Sequence, residues 1–182
     1  MATIYMVRHG KAAASFDSHL DPGLDDLGRS QADATAEFLA PLGPLPVYSS
    51  PLARARETAA PLARRWQVTP VVEPRVAEIP SPSQDPGERG QWLRSIMGDR
   101  WSNLAPELNE WRQAMIDCVS SYTADSVVFC HFIAINVIVG AATGADEMIS
   151  FRPDNGSVTK IRVDEGGLSL VELGREAPTV VG

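Results

Sequence analysis

At 182 residues with 44% of them hydrophobic, the chain can bury a sizeable core and predicts one domain. Its formal net charge of −7 argues against a nucleic-acid surface, which carries a basic patch or stripe, so any anionic ligand must be met by a local cluster of arginines. Two cysteines, Cys118 and Cys130, are too few for a disulfide framework or a zinc site and read as small core residues of a soluble, cytoplasmic protein.

Ile4-Tyr5-Met6-Val7 is a continuous apolar run, the pattern of a strand covered on both faces. It ends on Arg8-His9-Gly10, at the edge of an α/β sheet where ligands bind. No signal peptide is expected, because the apolar start runs straight into Arg8. A polar loop over residues 11–23 follows. Asp25 reads as the N-cap of a helix with Leu27, Ala34 and Phe38 on its buried face, ending near residues 41–43. Residues 46–50 predict a second strand. Ser50-Pro51 reads as a capping hydroxyl with proline at the first helical position, opening a helix with Leu52, Ala55, Ala59, Leu62 and Trp66 on one stripe that Pro61 kinks or divides. Residues 68–72 predict a third strand.

Between residues 74 and 90 prolines crowd together with few apolar residues, predicting an irregular surface loop. Helices are predicted over 89–97 and over 108–122, the latter with Leu108, Trp111, Met115, Cys118 and Val119 as its apolar stripe. Residues 126–130 form another unalternating apolar strand, ending on His131. Residues 133–142 predict a buried helix closed by Gly144; the apolar run of 132–142 is too short to span a bilayer and contains Asn136, so no membrane partner is expected. Asn155-Gly156 marks a turn, and residues 157–163 and 168–173 around Gly166-Gly167 predict an antiparallel hairpin. The fold class is therefore α/β, a three-layer sandwich with a mainly parallel central sheet, helices on both faces and a C-terminal antiparallel hairpin.

Two buried strands each deliver a histidine at their carboxyl ends, His9 and His131. In a parallel sheet those ends share one edge, so the two imidazoles can meet across one crevice. Arg54 falls in the first turn of the second helix, where a cation opposes the positive end of the helix dipole and reads as aimed at an anion; Arg56, Arg64 and Arg65 read as a solvated face. Arg8 and Arg54 together suit the several oxygens of a phosphate or carboxylate. This grouping suggests phosphoryl transfer, in which positioning and charge neutralisation do most of the work. A neutral histidine can take the phosphoryl group, and neighbouring arginines favour the neutral form. The departing alkoxide then needs a proton, for which Glu73, Glu78, Asp85 and Glu88 are all candidates.

Arg8-His9-Gly10 after an apolar strand, the segment Ser49-Ser50-Pro51-Leu52-Ala53-Arg54-Ala55-Arg56-Glu57-Thr58-Ala59, and a strand ending in His131 together resemble the histidine phosphatase superfamily, of phosphoglycerate-mutase-like fold. Asp21-Pro22-Gly23-Leu24 with Gly28 and Gln31 is similar to the segment that opens that family's first long helix. The resemblance runs from residue 3 to about 171. It implies His9 as the phosphorylated nucleophile, Arg8 and Arg54 gripping the phosphate, and His131 stabilising charge on the transferring group. It further implies Glu78 as the proton donor and Ser15 as a polar phosphate contact. It implies no metal or organic cofactor, a phosphorylated small molecule or phosphoprotein as substrate, and one domain over 1–182 with a cap-like insertion at about 74–104.

Two departures stand out. The family has glycine after the second histidine; here Phe132 must line the pocket or turn into the core. Lys11-Ala12-Ala13-Ala14 resembles the small phosphatase members rather than the sugar-phosphate mutases, which also carry longer insertions and tails. Hydrolysis of a phosphomonoester or phosphoramidate is thus expected. The alternatives are a mutase, a non-catalytic phospholigand-binding module, and a metal hydrolase using His9, His19 and His131.

Overall fold

A computed structural model describes residues 1–15 and 18–178 of the chain; part of the predicted polar loop, residues 16 and 17, lies outside that range. Six strands form one sheet in the order β3-β2-β4-β1-β5-β6. Strands β1 (Ala2–Arg8), β2 (Val47–Ser49), β3 (Val71–Val72) and β4 (Ser126–Cys130) run parallel. Strands β5 (Val158–Asp164) and β6 (Gly167–Glu172) add an antiparallel hairpin beside β1. Every residue of β4 is buried, as its unalternating sequence requires, whereas β5 alternates because one face is open.

The core lies in two clusters on opposite faces of the sheet. Ala36, Leu39, Ala59, Leu62 and Trp66 from helices α1 (Asp26–Leu39) and α2 (Ala53–Trp66) pack on Val7, Val127 and Phe129. On the other side, helices α4 (Pro106–Ser120) and α5 (Phe132–Thr143) pack Met115, Cys118, Ile135 and Ile138 around Ile4, Met6 and Val128. Helix α3 (Pro86–Ile96) adds Leu93 to this second cluster. These layers are the predicted sandwich. Among the described residues no helix is long and apolar enough to cross a membrane.

Several local expectations are corrected. Asp25 does cap α1, its carboxylate accepting from Gly28 N at 2.7 Å, but Leu27 and Phe38 are 54% and 61% exposed and Ala34 is exposed too. The buried stripe is instead Gly28, Ala32, Thr35, Ala36 and Leu39. Small residues let α1 approach α2 closely, and that packing outweighs the burial of two large side chains on an outer face. Helix α2 is not divided at Pro61. Proline removes one backbone bond there, and the buried stripe on either side of it, from Ala59 to Trp66, holds the helix together. The helix begins at Ala53 with Leu52 as N-cap rather than Ser50. The third strand keeps only two residues, and α3 starts three residues before the predicted 89, with Asp85 accepting from Glu88 N and Pro86 in the first turn.

Candidate active site

The register of the parallel sheet builds the centre of the site. Arg8 pairs with Cys130 across β1 and β4, so the next residues, His9 and His131, leave the sheet side by side. Their ring centroids are 5.3 Å apart and tilted by 59°, and His9 N donates to Cys130 O at 3.1 Å. Gly10 is required by close approach: a Cβ there would lie 2.5 Å from the Gly28 carbonyl oxygen, and one on Gly28 would lie 2.1 Å from Lys11 O. The two glycines let the chain after His9 lie flat on α1, where Gln31 Oε1 accepts from Lys11 N. That contact accounts for Gly28 and Gln31 in the resemblance.

The hydrogen-bond network assigns the His9 tautomer. A carbonyl can only accept, so Nδ1–H donates to Gly10 O at 2.6 Å. Nε2 therefore carries the lone pair, and it accepts from Arg54 Nε at 3.2 Å. Burial, followed by the charges of Arg54 and Arg8, pushes His9 well below the ordinary imidazole range. The ring is thus neutral with its nucleophilic nitrogen facing a guanidinium. Asn155 Nδ2 donates to His9 O, and Thr58 links Gly10 N to Arg54 O, fixing the strand end to the first turn of α2.

His131 is fully buried, and its Nε2 meets Ser50 Oγ at 2.7 Å. In the tautomer with the imidazole proton on Nδ1, Ser50 Oγ donates to His131 Nε2 while accepting from Leu52 N. Nδ1 is buried with no hydrogen-bond partner among the described residues, and so is Arg54 Nη1. Buried polar groups of this kind are costly unless a partner arrives. Burial first, then Arg54, His9 and Arg8, lowers His131 well below the ordinary range.

Arg8 is buried and donates from Nη1 to Pro153 O at 2.9 Å. Burial lowers its guanidinium to about 10, opposed by Glu78 and Asp154, so it stays charged at neutral pH. The family's glycine position is filled by Phe132, which turns into the core: its ring is fully buried, and the Arg8 guanidinium carbon lies 5.2 Å from its centroid. That distance allows a cation–π contact holding the guanidinium at the sheet edge.

Glu78 is 7% exposed and reaches the amino end of α5. Its Oε2 accepts from Ile133 N and its Oε1 from Ala134 N and Ile79 N, each at 3.2 Å. Burial raises its pKa above the ordinary carboxylate value, against the pull of these bonds and of Arg54. A carboxyl whose burial favours its protonated form suits proton donation. Of the other candidate acids, Glu73 is committed to an ion pair with Arg75, Asp85 caps α3, and Glu88 takes a hydrogen bond from Ser83 Oγ.

The structure therefore brings together Arg8, His9, Arg54, Glu78 and His131. Ser15 is not in this buried group: it is exposed, and its Oγ shares a hydrogen bond with Ser18 Oγ. His19 is exposed, its Nδ1 accepting from Asp21 N, and no group of three or more metal-type side chains occurs among the described residues. Sequence reading missed Ser50 as the partner of His131 and Asp21, whose Oδ1 accepts from Ala53 N at 2.8 Å and so caps α2 from another loop. It also missed Arg89, which lines a cavity with Arg54 and Glu78. The run Asp85-Pro86-Gly87-Glu88, a cap, a first-turn proline and an acidic first turn, was the available signal for an earlier helix carrying Arg89.

A buried neutral histidine, a second histidine and two guanidiniums at the edge of a parallel sheet form a cationic site suited to a tetrahedral anion. The family model described as the histidine phosphatase superfamily (branch 1) matches residues 4–176, and the chain belongs to that family. It is 40% identical over 79 residues to a glucosyl-3-phosphoglycerate phosphatase of Mycolicibacterium vanbaalenii, 41% of this chain and 35% of that one. It is 28% identical over 122 residues to a probable phosphoglycerate mutase GpmB of Yersinia pestis, 64% of this chain and 51% of that one. The matches thus span between a third and about a half of the length of these two curated relatives. Among solved structures, a mycobacterial glucosyl-3-phosphoglycerate phosphatase in complex with VO3 shares the fold at a TM-score of 0.75 and 22% identity, covering 97% of this chain and 100% of that one. An α-ribazole-5'-P phosphatase described as putative, from Escherichia coli K-12, does so at 0.75 and 20%, covering 99% and 100%.

Proposed function

We propose that the protein is a cofactor-independent phosphatase that hydrolyses a phosphomonoester through a phosphohistidine on His9. The observation that carries this reading is the His9 tautomer: Nδ1–H bound to Gly10 O leaves the Nε2 lone pair pointing at Arg54. In the first step that lone pair forms a bond to phosphorus, the bond from phosphorus to the ester oxygen breaks, and the departing oxygen takes the Glu78 proton. In the second step a water attacks phosphorus, gives its proton to the Glu78 carboxylate, and the P–N bond breaks to return the lone pair to His9. Arg54 Nε leaves His9 for a phosphoryl oxygen as the anion enters, while Arg54 Nη1 and His131 Nδ1 supply two further donors. Arg8 adds positive charge.

Two similarities support hydrolysis over phosphate return to a second hydroxyl: the curated phosphatase relative and the modest size of the segment 74–104, which we read as the cap of a single domain. The two buried free thiols fit a reducing, cytoplasmic setting. The test is incubation with a labelled phosphomonoester followed by alkaline quenching. An alkali-stable, acid-labile phosphoenzyme is expected in the wild type, with no label in His9→Ala, whose turnover falls by a factor on the order of 10⁴ or more. Label that persists without His9, or a wild type that neither labels nor turns over, would overturn the reading. Free phosphate as product, rather than an isomerised ester, separates a phosphatase from a mutase.

A further inference from the structure

The turn at 153–157, between α5 and β5, wraps the end of β1 more closely than a connection requires. Gly156 N donates to Arg8 O at 2.9 Å, Arg8 N to Ser157 O at 3.2 Å, and Arg8 Nη1 to Pro153 O at 2.9 Å. Asn155 adds a side-chain bond, from Nδ2 to His9 O at 3.0 Å. A carbonyl only accepts, so the amide nitrogen faces it. Of the Asn-Gly pair that marks the turn in sequence, the backbone needs the glycine, whose φ is +74°. The turn itself is closed by Asp154: its Oδ1 accepts from Asn155 N, and its backbone oxygen accepts from Ser157 N and Oγ. Arg175 braces it from behind, donating to Asp154 Oδ2 and Asn155 O. The Asn155 amide is thus given to His9.

That bond reaches the imidazole through one peptide unit. His9 O and Gly10 N lie in the same rigid plane; Asn155 holds its oxygen, and Thr58 Oγ1 accepts from its N–H at 2.9 Å. With both ends held, the next carbonyl, Gly10 O, is presented to His9 Nδ1–H at 2.6 Å. Arg54 Nε also holds the ring, donating to Nε2 at 3.2 Å, but in the proposed reaction it turns to the entering phosphate. The anion is itself an acceptor and draws the imidazole proton toward Nε2, where it would block attack. Gly10 O is then the group that keeps the proton on Nδ1. As the P–N bond forms, positive charge spreads over the ring, and the bond from Nδ1–H to Gly10 O becomes charge-assisted.

We infer that Asn155 is a positioning residue for His9, fixing its tautomer through the His9–Gly10 peptide. The inference rests on the phosphohistidine reading and adds a residue to it. An interaction that strengthens as the P–N bond forms acts on the rate of that step rather than on binding. Asn155 also borders a cavity of about 330 Å³ with Gln31, Thr35 and Arg175, so a longer side chain has room there.

The experiment compares the wild type with Asn155→Leu and Asn155→Ala, which remove the donor at different bulk, and with Asn155→Gln, which keeps an amide. Nitrogen NMR of protein labelled at histidine, with saturating inorganic phosphate, reads the His9 tautomer; the His9 signals are those absent from His9→Gln. The wild type should hold its proton on Nδ1, and both donorless variants should divide it between the two nitrogens. In single turnovers of an aryl phosphate they should form phosphoenzyme about tenfold more slowly, the worth of one hydrogen bond, with half-saturation changed by less than about threefold. Asn155→Gln should recover part of the rate, which a merely structural role would not give. An Nδ1 tautomer that persists in both donorless variants, or a loss confined to half-saturation, overturns the inference alone. A wild type that forms no phosphoenzyme overturns the phosphohistidine reading, and the NMR comparison still decides whether Asn155 sets the tautomer.

Discussion

The carboxyl edge of β1, β2 and β4 and the segment 74–104 contribute to the same site by different physical means. At the sheet edge, Arg8, His9, Arg54 and His131 are each 3% exposed or less, and every one is set by strand register or by the first turn of a helix resting on the sheet. The segment 74–104, short helical pieces joined by proline-rich loops, buries few residues, is anchored by Val76, Ile79, Leu93 and Trp101, and brings Glu78 beside Arg54. The difference assigns two tasks. Under the proposed function, the close-packed sheet holds the groups that meet the phosphoryl unit and the lightly anchored segment holds the acid that meets the leaving group, where change costs the fold little.

The largest effect expected from breaking this division is on the sheet edge. Arg54→Gln removes the charge and the guanidinium fork, and should lower kcat/KM by about 10²- to 10³-fold, equally for every phosphate ester. Assays on an aryl and an alkyl phosphate check this, since unequal losses would assign Arg54 to the leaving group. Glu78→Gln should act unequally. Turnover of alkyl phosphates falls about 10²-fold, because the alkoxide needs a proton, while aryl phosphates change by less than about threefold.

A smaller effect concerns stability. His9 and His131 are held below the imidazole value of about 6.5, so the folded state binds fewer protons than the unfolded one. Their contribution is fully present above about pH 6.5 and is lost as pH falls below it, each ring steepening the decline by up to about 1.4 kcal/mol per pH unit. Urea unfolding at pH 7.5 and pH 5.5 should show the drop. His131→Asn should flatten it.

The same contrast explains what was legible in the sequence. Ile4-Tyr5-Met6-Val7 and Ser126-Val127-Val128-Phe129-Cys130 announce buried parallel strands through composition alone, and such strands share one carboxyl edge. The meeting of His9 with His131 therefore follows from topology without knowledge of any side-chain contact. Arg54 was legible because a cation in a first helical turn needs a reason. The buried face of α1 was not legible. Leu27 and Phe38 are the hydrophobic residues at helical spacing, yet close contact with α2 selects Ala32 and Ala36. Glu78 could not be chosen among four acids from sequence physics, because its distinction lies in its hydrogen bonds to Ile133 N and Ala134 N, residues remote in sequence. Arg89 was hidden for a related reason: a proline-rich stretch carries little periodicity, so where its helix begins and which way it faces are set by tertiary contacts.

The central claim is that segments far apart in the chain converge on one tetrahedral anion, and a crystal structure of the protein soaked with orthovanadate tests it most directly. The account predicts vanadium bonded to His9 Nε2, with Arg54 Nη1 and His131 Nδ1, both buried at the site, within hydrogen-bond distance of its oxygens. Vanadate bound away from His9, or bound with these donors turned aside, would contradict it.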